Sequence, residues 1–219
     1  NYILKPVPRD LQLVSQVPAN EHLTMQIAHQ VYGIQTAENA LIFFKDGQPA
    51  YITRRFDFKD QAERWGTEDF ASLARKTEEN AGAGFKYEYD YESMAELIVE
   101  HIPAHRIELE KFFKLVLFNY LFSNGDAHLK NFSILESPGG DYTLSPAYDL
   151  LNTRLHVNDT DFALNGGLFK DDFESQSMQH NGWAAKGDFV EFANRIGIKP
   201  KRLPKIMRPF LQEQGKVKE

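Results

Sequence analysis

The chain contains no cysteine. Disulfides, thiolate nucleophiles and Cys-ligated zinc are therefore excluded from its chemistry, and the absence fits an expected cytoplasmic location. No apolar run is long enough to cross a bilayer as a helix. There is no basic excess either: 25 Lys and Arg stand against 31 Asp and Glu, for a net charge of −6. A free-standing nucleic-acid binder is usually basic, so direct nucleic-acid binding is not expected. Internal repeats and low-complexity segments are absent. The opening residues Asn1-Tyr2-Ile3-Leu4-Lys5 match neither a signal peptide nor an initiator and read as a strand entered halfway. A further N-terminal portion is therefore expected ahead of them.

What is present is enough to bury a core. Hydrophobic residues make up 42% and aromatics 13% of 219 residues, well outside the disordered range. The length suits one large domain or two small lobes. Tyr2 to Lys5 is β-prone, and a Pro-rich loop follows to Pro18. Asn20 is expected to N-cap a helix with Glu21 in its first turn, Leu23, Ile27 and Val31 on one face, and Gly33 as its stop. Residues 40–45 and 50–56 are strand-like and joined by Asp46-Gly47, a strong hairpin signal.

Beyond this point Thr67 is expected to cap a helix running to Lys76, and residues 80–91 to form a loop. Residues 92–101 and 108–122 read as helices, the second the most apolar of the chain. Residues 132–135 and 142–144 read as strands, 157–173 as irregular, and 187–196 and 200–211 as closing helices. The fold class is α+β. A small β-containing part over 1–57 precedes a mainly helical part over 58–219, which suggests two unequal lobes.

The densest polar cluster is Asn124-Gly-Asp-Ala-His-Leu-Lys-Asn131, directly after the most apolar helix. Asp126 and Asn131 have the D-x-x-x-x-N spacing of a kinase catalytic loop, in which the Asp takes or orients the acceptor hydroxyl proton. The Asn oxygen suits Mg²⁺, a hard cation. Lys130 is placed to neutralise charge on a transferring phosphoryl group. Asp149 follows Asn131 by 18 residues, with two short strands and a turn between. That path returns the chain to the loop as a second metal-binding acid, although Leu150-Leu151 stands where kinases carry Phe-Gly. Lys5 ends a strand, as the kinase ATP lysine does, and Glu21 is available to pair with it. Backbone groups near Arg54 and Phe56 would form the adenine hinge.

Each feature alone has a bland reading. Asp126 with Asn131 can be a chance spacing, Lys5 a solvated strand end, Glu21 a helix-dipole acid and Asp149 a turn residue. Their order on suitable elements is what joins them. His101 and His105 have metal-helix spacing, but Pro103 breaks the helix between them, so zinc is rejected. The basic positions Lys199, Lys201, Arg202, Lys205 and Arg208 read as a solvated helix face.

The string from Asn124 to Ser133 resembles the D-x-H-x-K-N-F-S motif of the HipA family of bacterial toxin kinases. Tyr2-Ile-Leu-Lys-Pro6, Ala19-Asn-Glu-His22, Arg54-Arg-Phe-Asp57, Glu68-Asp-Phe70 and Pro146-Ala-Tyr-Asp149 resemble further motifs of the family in the same order. The region 20–24 is similar in particular to the shorter HipT type. The resemblance implies a protein-kinase-like two-lobed fold and an ATP- and Mg²⁺-dependent serine/threonine protein kinase acting as a toxin. It implies an aminoacyl-tRNA synthetase as substrate and a cognate antitoxin, often DNA-binding. By motif position it implies Asp126, His128 and Lys130 as the catalytic group and Asn131 and Asp149 as Mg²⁺ ligands. Lys5, Glu21, Arg54, Phe56, Asn131 and Asp149 would hold the nucleotide. Family members also carry a serine-containing phosphate-covering loop before the lysine strand, so a lost segment or a separate chain completing the N-lobe is an implied partner. A small-molecule phosphotransferase and a non-catalytic pseudokinase subunit of a split toxin–antitoxin complex stay open as rival readings.

Overall fold

The computed structural model describes residues 1–9, 11–59 and 63–212. Among the described residues, two three-stranded antiparallel sheets and a set of helices form the fold. The first sheet has the order β1-β3-β2, with β1 Tyr2–Pro6, β2 Asn39–Phe43 and β3 Pro49–Arg54. The Asp46-Gly47 hairpin forms as expected: β2 pairs with β3 from Asn39 opposite Thr53 to Phe43 opposite Pro49, and Gly47 takes φ +82°. β1 lies on the other side of β3, which sets Lys5 opposite Tyr51.

Helix α1, Val17–Gln30, packs on this sheet. It starts earlier than expected, because Pro18 sits in the first turn, where a proline's fixed φ and missing N–H cost nothing. Asn20 is therefore inside the helix and is no cap, and Glu21 lies beyond the first turn. The buried stripe is also shifted. Glu21, Thr24, Met25 and Ala28 point inward, whereas Leu23, expected inside, is 60% exposed. Gly33, at φ +61°, ends the segment as expected.

The second sheet, β4-β5-β6, sits among the helices. It comprises β4 Thr67–Asp69, β5 Ser133–Glu136 and β6 Tyr142–Leu144. Thr67, expected to cap a helix, is the first residue of β4 and lies opposite Leu135. The short helix α2, Phe70–Leu73, is capped instead by Asp69, whose carboxylate accepts from the Ser72 N–H at 2.9 Å. The stretch 80–91, expected as a loop, begins inside the short α3, Glu78–Ala81, and holds a 3₁₀ turn, Phe85–Tyr87.

Helices α4, Tyr91–His101, and α5, His105–Leu121, form the hydrophobic centre. Phe112, Phe113 and Phe118 of α5 are fully buried, at about 2 kcal/mol of burial free energy each. Phe112 meets Phe132 edge to face at 5.7 Å, which ties α5 to the segment leading into β5. After an irregular stretch the chain closes with α6 Gln176–Asn181, α7 Lys186–Arg195 and α8 Leu203–Gln212. Among the described residues, no helix is long and apolar enough to cross a membrane.

Candidate active site

Three distant stretches meet at Lys5. Its ammonium donates to Glu21 Oε1 at 2.8 Å and also to Asp149 Oδ1. Lys5 is carried by β1, Glu21 by α1 and Asp149 by the segment after β6, so the juxtaposition is made by the fold and not by local sequence. Glu21 is nearly buried, and that burial pushes its carboxyl up to about 7 against the opposing pull of Lys5. The negative charges of Glu21 and Asp149 in turn hold Lys5 above its ordinary range, outweighing its own desolvation.

Asp149 has φ +56°, a left-handed conformation costing a non-glycine residue about 1–2 kcal/mol. Such strain persists where the surroundings impose it and clusters at functional positions. Here Asn124, buried after α5, donates through Nδ2 to Asn119 Oδ1 at 3.0 Å and to the Asp149 carbonyl at 3.4 Å. Asn131 donates through Nδ2 to Asp149 Oδ2 at 3.2 Å, while its side-chain oxygen accepts from the His128 N–H at 3.1 Å. The two acceptors assigned to a metal from the sequence are therefore neighbours.

The donor chemistry around Asp149 suits a hard cation: a half-exposed carboxylate beside an amide, with the ammonium of Lys5 already resting on it. For Asn131 to offer its oxygen as well, its amide has to turn away from His128. Among the described residues no group of three or more His, Asp or Glu is placed to hold a metal alone. Mg²⁺ is commonly held by one or two protein groups plus substrate phosphates, and Asp149 with Asn131 would be such a pair.

The loop between α5 and β5 is set by close packing. The Gly125 N–H donates to Thr153 Oγ1 at 2.9 Å, and Thr153 Oγ1 donates to the Ser123 carbonyl at 3.0 Å. A Cβ on Gly125 would lie 2.5 Å from both Asp159 Cγ and the Thr160 carbonyl oxygen, so only glycine fits. Asp126, next in the chain, keeps its carboxylate half exposed and accepts from Tyr87 OH at 2.7 Å. His128 turns inward. Its Nε2 lies 2.8 Å from Lys86 Nζ, which can only donate, so the ring proton belongs on Nδ1. Burial above all, and the Lys86 charge, push the His128 pKa down despite Asp126. His128 Nε2 lies 3.8 Å from Asp126 Oδ1. Lys130 Nζ reaches Asp69 Oδ2 at 3.1 Å.

A cavity of about 280 Å³ opens between the two sheets beside Lys5 and Asp149, with Ile3, Phe56 and Tyr148 among its walls. Arg54 lines it too, but its N–H is spent on the Glu38 carbonyl at 2.8 Å and its guanidinium on Glu38 Oε2 at 3.1 Å. The Phe56 ring lies 5.6 Å from that of Tyr148. The expected site residues thus fall into three groups. Lys5, Glu21, Asn131 and Asp149 are joined by direct contacts, while Arg54 and Phe56 line the cavity wall. Asp126, His128 and Lys130 lie along the adjoining loop.

The sequence reading missed several partners. Tyr87, Lys86 and Thr153 carry no local pattern that links them to the loop they support. Tyr148, beside Asp149, was visible only as part of a motif. Its hydroxyl lies 2.7 Å from Ser133 Oγ and donates to the Lys130 carbonyl at 2.9 Å.

The model of the HipA-like C-terminal domain matches residues 1–217. A candidate kinase of Haemophilus influenzae is 31% identical over the whole of this chain, which spans 66% of that relative's length. The candidate kinase Y4dM of Sinorhizobium fredii is 30% identical over 69% of the chain, covering 38% of its own length. In fold, the chain is similar to HipA of Shewanella oneidensis, solved in a toxin–antitoxin complex with HipB and operator DNA. The TM-score is 0.60 at 20% identity, covering 99% of this chain and 55% of that one. It is equally similar to the Helicobacter pylori proinflammatory kinase CtkA, with a TM-score of 0.60 at 16% identity over 94% of this chain and 78% of that one. The chain belongs to the HipA-like C-terminal domain family and carries its kinase-like fold.

Proposed function

We propose that this chain is the catalytic core of a cytoplasmic ATP- and Mg²⁺-dependent protein serine/threonine kinase, acting as the toxin of a bacterial toxin–antitoxin system. In this reading residues 1–57 form the N-lobe part and 58–219 the C-lobe. The observation that carries it is the Lys5 ammonium held between Glu21 and Asp149, with Asn131 on the other oxygen of Asp149. A lysine, a buried acid and a strained metal-type aspartate have no shared structural need to converge in a half-open cleft. A phosphate-binding lysine with its positioning acid and a metal ligand does have one.

In the mechanism, adenine enters the cavity beside Phe56 and Tyr148, and Lys5 turns from Asp149 to the phosphates. Asn131 and Asp149 would hold Mg²⁺, which would supply positive charge against the negative charge of the phosphates. Asp126 orients the acceptor hydroxyl and takes its proton. The hydroxyl oxygen forms the new bond to the γ-phosphorus, the bond to the β-phosphate oxygen breaks, and ADP leaves. Tyr87 fixes the Asp126 carboxylate through the 2.7 Å hydrogen bond. Lys130 offers positive charge near the loop once released from Asp69. The protein acceptor, an aminoacyl-tRNA synthetase, and the antitoxin partner follow the family likeness, as does the notion of a segment or chain completing the N-lobe. A DNA-binding antitoxin is in keeping with the HipB and operator DNA of the Shewanella complex.

The test is transfer of labelled γ-phosphate from ATP to proteins, with small alcohols and aminoglycosides as competing acceptors. Asp126→Asn is expected to lower transfer at least about 10²-fold with nucleotide affinity near the parent's. Transfer at the parent rate would remove Asp126 from its role, and transfer to small alcohols alone would replace the protein-kinase reading.

A further inference from the structure

A second concavity, of about 650 Å³, lies in the C-terminal part between the irregular stretch 161–174 and the start of α7. Its lining is acidic and apolar together. Two of its acids are already neutralised: Asp161 pairs with Arg154, and Asp171 takes Arg195 at 2.9 Å. Asp172 and Glu174 have no side-chain partner among the described residues, and both are exposed at the rim.

The decisive group is Asp188. It is 1% exposed and belongs to the groove wall. Its Oδ2 accepts from the Ala185 N–H at 2.7 Å, as a helix-start acid does, but its Oδ1 is buried without a hydrogen-bond partner among the described residues. A buried carboxylate oxygen left unpaired is costly, and such an atom in the wall of a groove asks for a donor from outside. Phe169 and Met178 supply apolar surface beside it.

The segment that leads into the groove wall also packs against the candidate active site. Just before that wall, Asp159 and Thr160 pack on the loop at Gly125. Further along, the Asn165 N–H donates to the Tyr87 carbonyl at 2.9 Å, and the Tyr87 hydroxyl holds Asp126. One wall of the groove is therefore tied to Tyr87, the residue that holds Asp126.

We propose that this groove is a substrate-docking site for an extended segment of the acceptor protein, and that it selects an arginine or lysine flanked by an apolar residue. The cationic head meets Asp188 with Asp172 and Glu174, and the apolar neighbour packs on Phe169 and Met178. Charge complementarity commits the groove to a basic segment: its unpaired groups are all acids, and cationic donors satisfy them best. The inference rests on the protein-kinase reading for its biological meaning, but its binding claim stands apart from it.

The experiment uses the full chain and serine-containing synthetic peptides that differ only in carrying Arg-Leu, Ala-Leu or Glu-Leu at scanned distances from the serine. Binding is read by fluorescence anisotropy without nucleotide, and transfer is read separately with ATP. The Arg-Leu peptide is expected to bind at least about tenfold tighter than the Ala-Leu peptide at low salt, and to weaken as salt rises. The double change Asp172→Asn with Glu174→Gln is expected to remove most of that preference while leaving nucleotide affinity unchanged. Both positions are exposed, so the variant folds. Asp188→Asn, checked for folding by circular dichroism, is expected to act in the same direction. Equal binding of the three peptides, or a rim variant that keeps the full preference, overturns the proposal. Peptide preference without phosphate transfer would retain the groove and refute the kinase reading, whereas transfer indifferent to the basic residue would do the reverse.

Discussion

Replacing Gly125 by alanine tests the site without touching a charged group. The added methyl would sit 2.5 Å from Asp159 Cγ and 2.5 Å from the Thr160 carbonyl oxygen. Ordinary contact begins near 3.4 Å, so about 1 Å of separation has to be found. Half of the obstruction is backbone, which cannot swing aside as a side chain does. Overpacking of this kind costs about 1–3 kcal/mol. The loop has little freedom to absorb the push, because the Gly125 N–H is anchored to Thr153 and Asn124 to Asn119 and Asp149. Asp126 is the adjoining residue, and misplacing a catalytic group by about 1 Å is worth about 10²-fold in rate. Gly125→Ala is therefore expected to lose about 1–3 kcal/mol in urea titration and about 10²-fold in phosphate transfer, with nucleotide affinity changed much less. Adding Asp159→Ala should relieve the side-chain part of the clash and recover some stability, while the Thr160 carbonyl keeps the rest. Gly33→Ala is the control, because nothing lies within 4 Å of a Cβ there and only the left-handed φ is penalised. It should lose about 1–2 kcal/mol and no transfer beyond that. A Gly125→Ala protein with parental stability and rate would refute the packing described for this loop.

Glu21→Gln should change how stability depends on pH. In the nucleotide-free chain Glu21 keeps its proton up to about 7, against about 4.5 when unfolded, so stability falls as pH rises through that window by up to about 3 kcal/mol. The Gln variant should lack this slope in denaturant titrations from pH 5 to 8, and identical parental and variant slopes would refute the buried state of Glu21. Tyr87→Phe removes the hydrogen bond to Asp126 and should lower transfer about tenfold with nucleotide affinity intact; an unchanged rate would show that the carboxylate needs no such restraint.

What the sequence made legible was local. The Asp46-Gly47 hairpin forms because a two-residue turn dictates its own register, and α5 forms because its apolar content leaves no exposed solution. Asn131 and Asp149 could be read as neighbours because one loop and one return path hold both. The face of α1 was misread for a physical reason. Periodicity ranks Leu23 as the inward residue, yet the inward position belongs to Glu21, which Lys5 draws from β1. β4 was misread as helix because its partner β5 lies 66 residues or so further along, and strand pairing of that range leaves no trace at Thr67. Tyr87 and Lys86 meet the Asp126–His128 loop across a long stretch of sequence, which likewise leaves no local trace.

The charge at Lys5 leads to one more consequence. Two carboxylates, Glu21 and Asp149, share a single ammonium in a partly buried cleft. Once both acids are ionised the cluster is net negative, and a polyphosphate approaching it meets repulsion unless a divalent cation comes with it. Nucleotide affinity is therefore expected to depend steeply on the divalent cation. Asp149→Asn should split two effects that an ordinary loss of function would merge. With Mg²⁺ it removes the anionic ligand, so calorimetry should show affinity falling at least about tenfold. With a chelator it removes one negative charge and frees Lys5 for the phosphates, so affinity for the metal-free nucleotide should hold or rise. A variant that loses affinity equally under both conditions would mean that Asp149 acts on the shape of the cleft and not on its charge, and the assignment of Asp149 to the metal would fall with it.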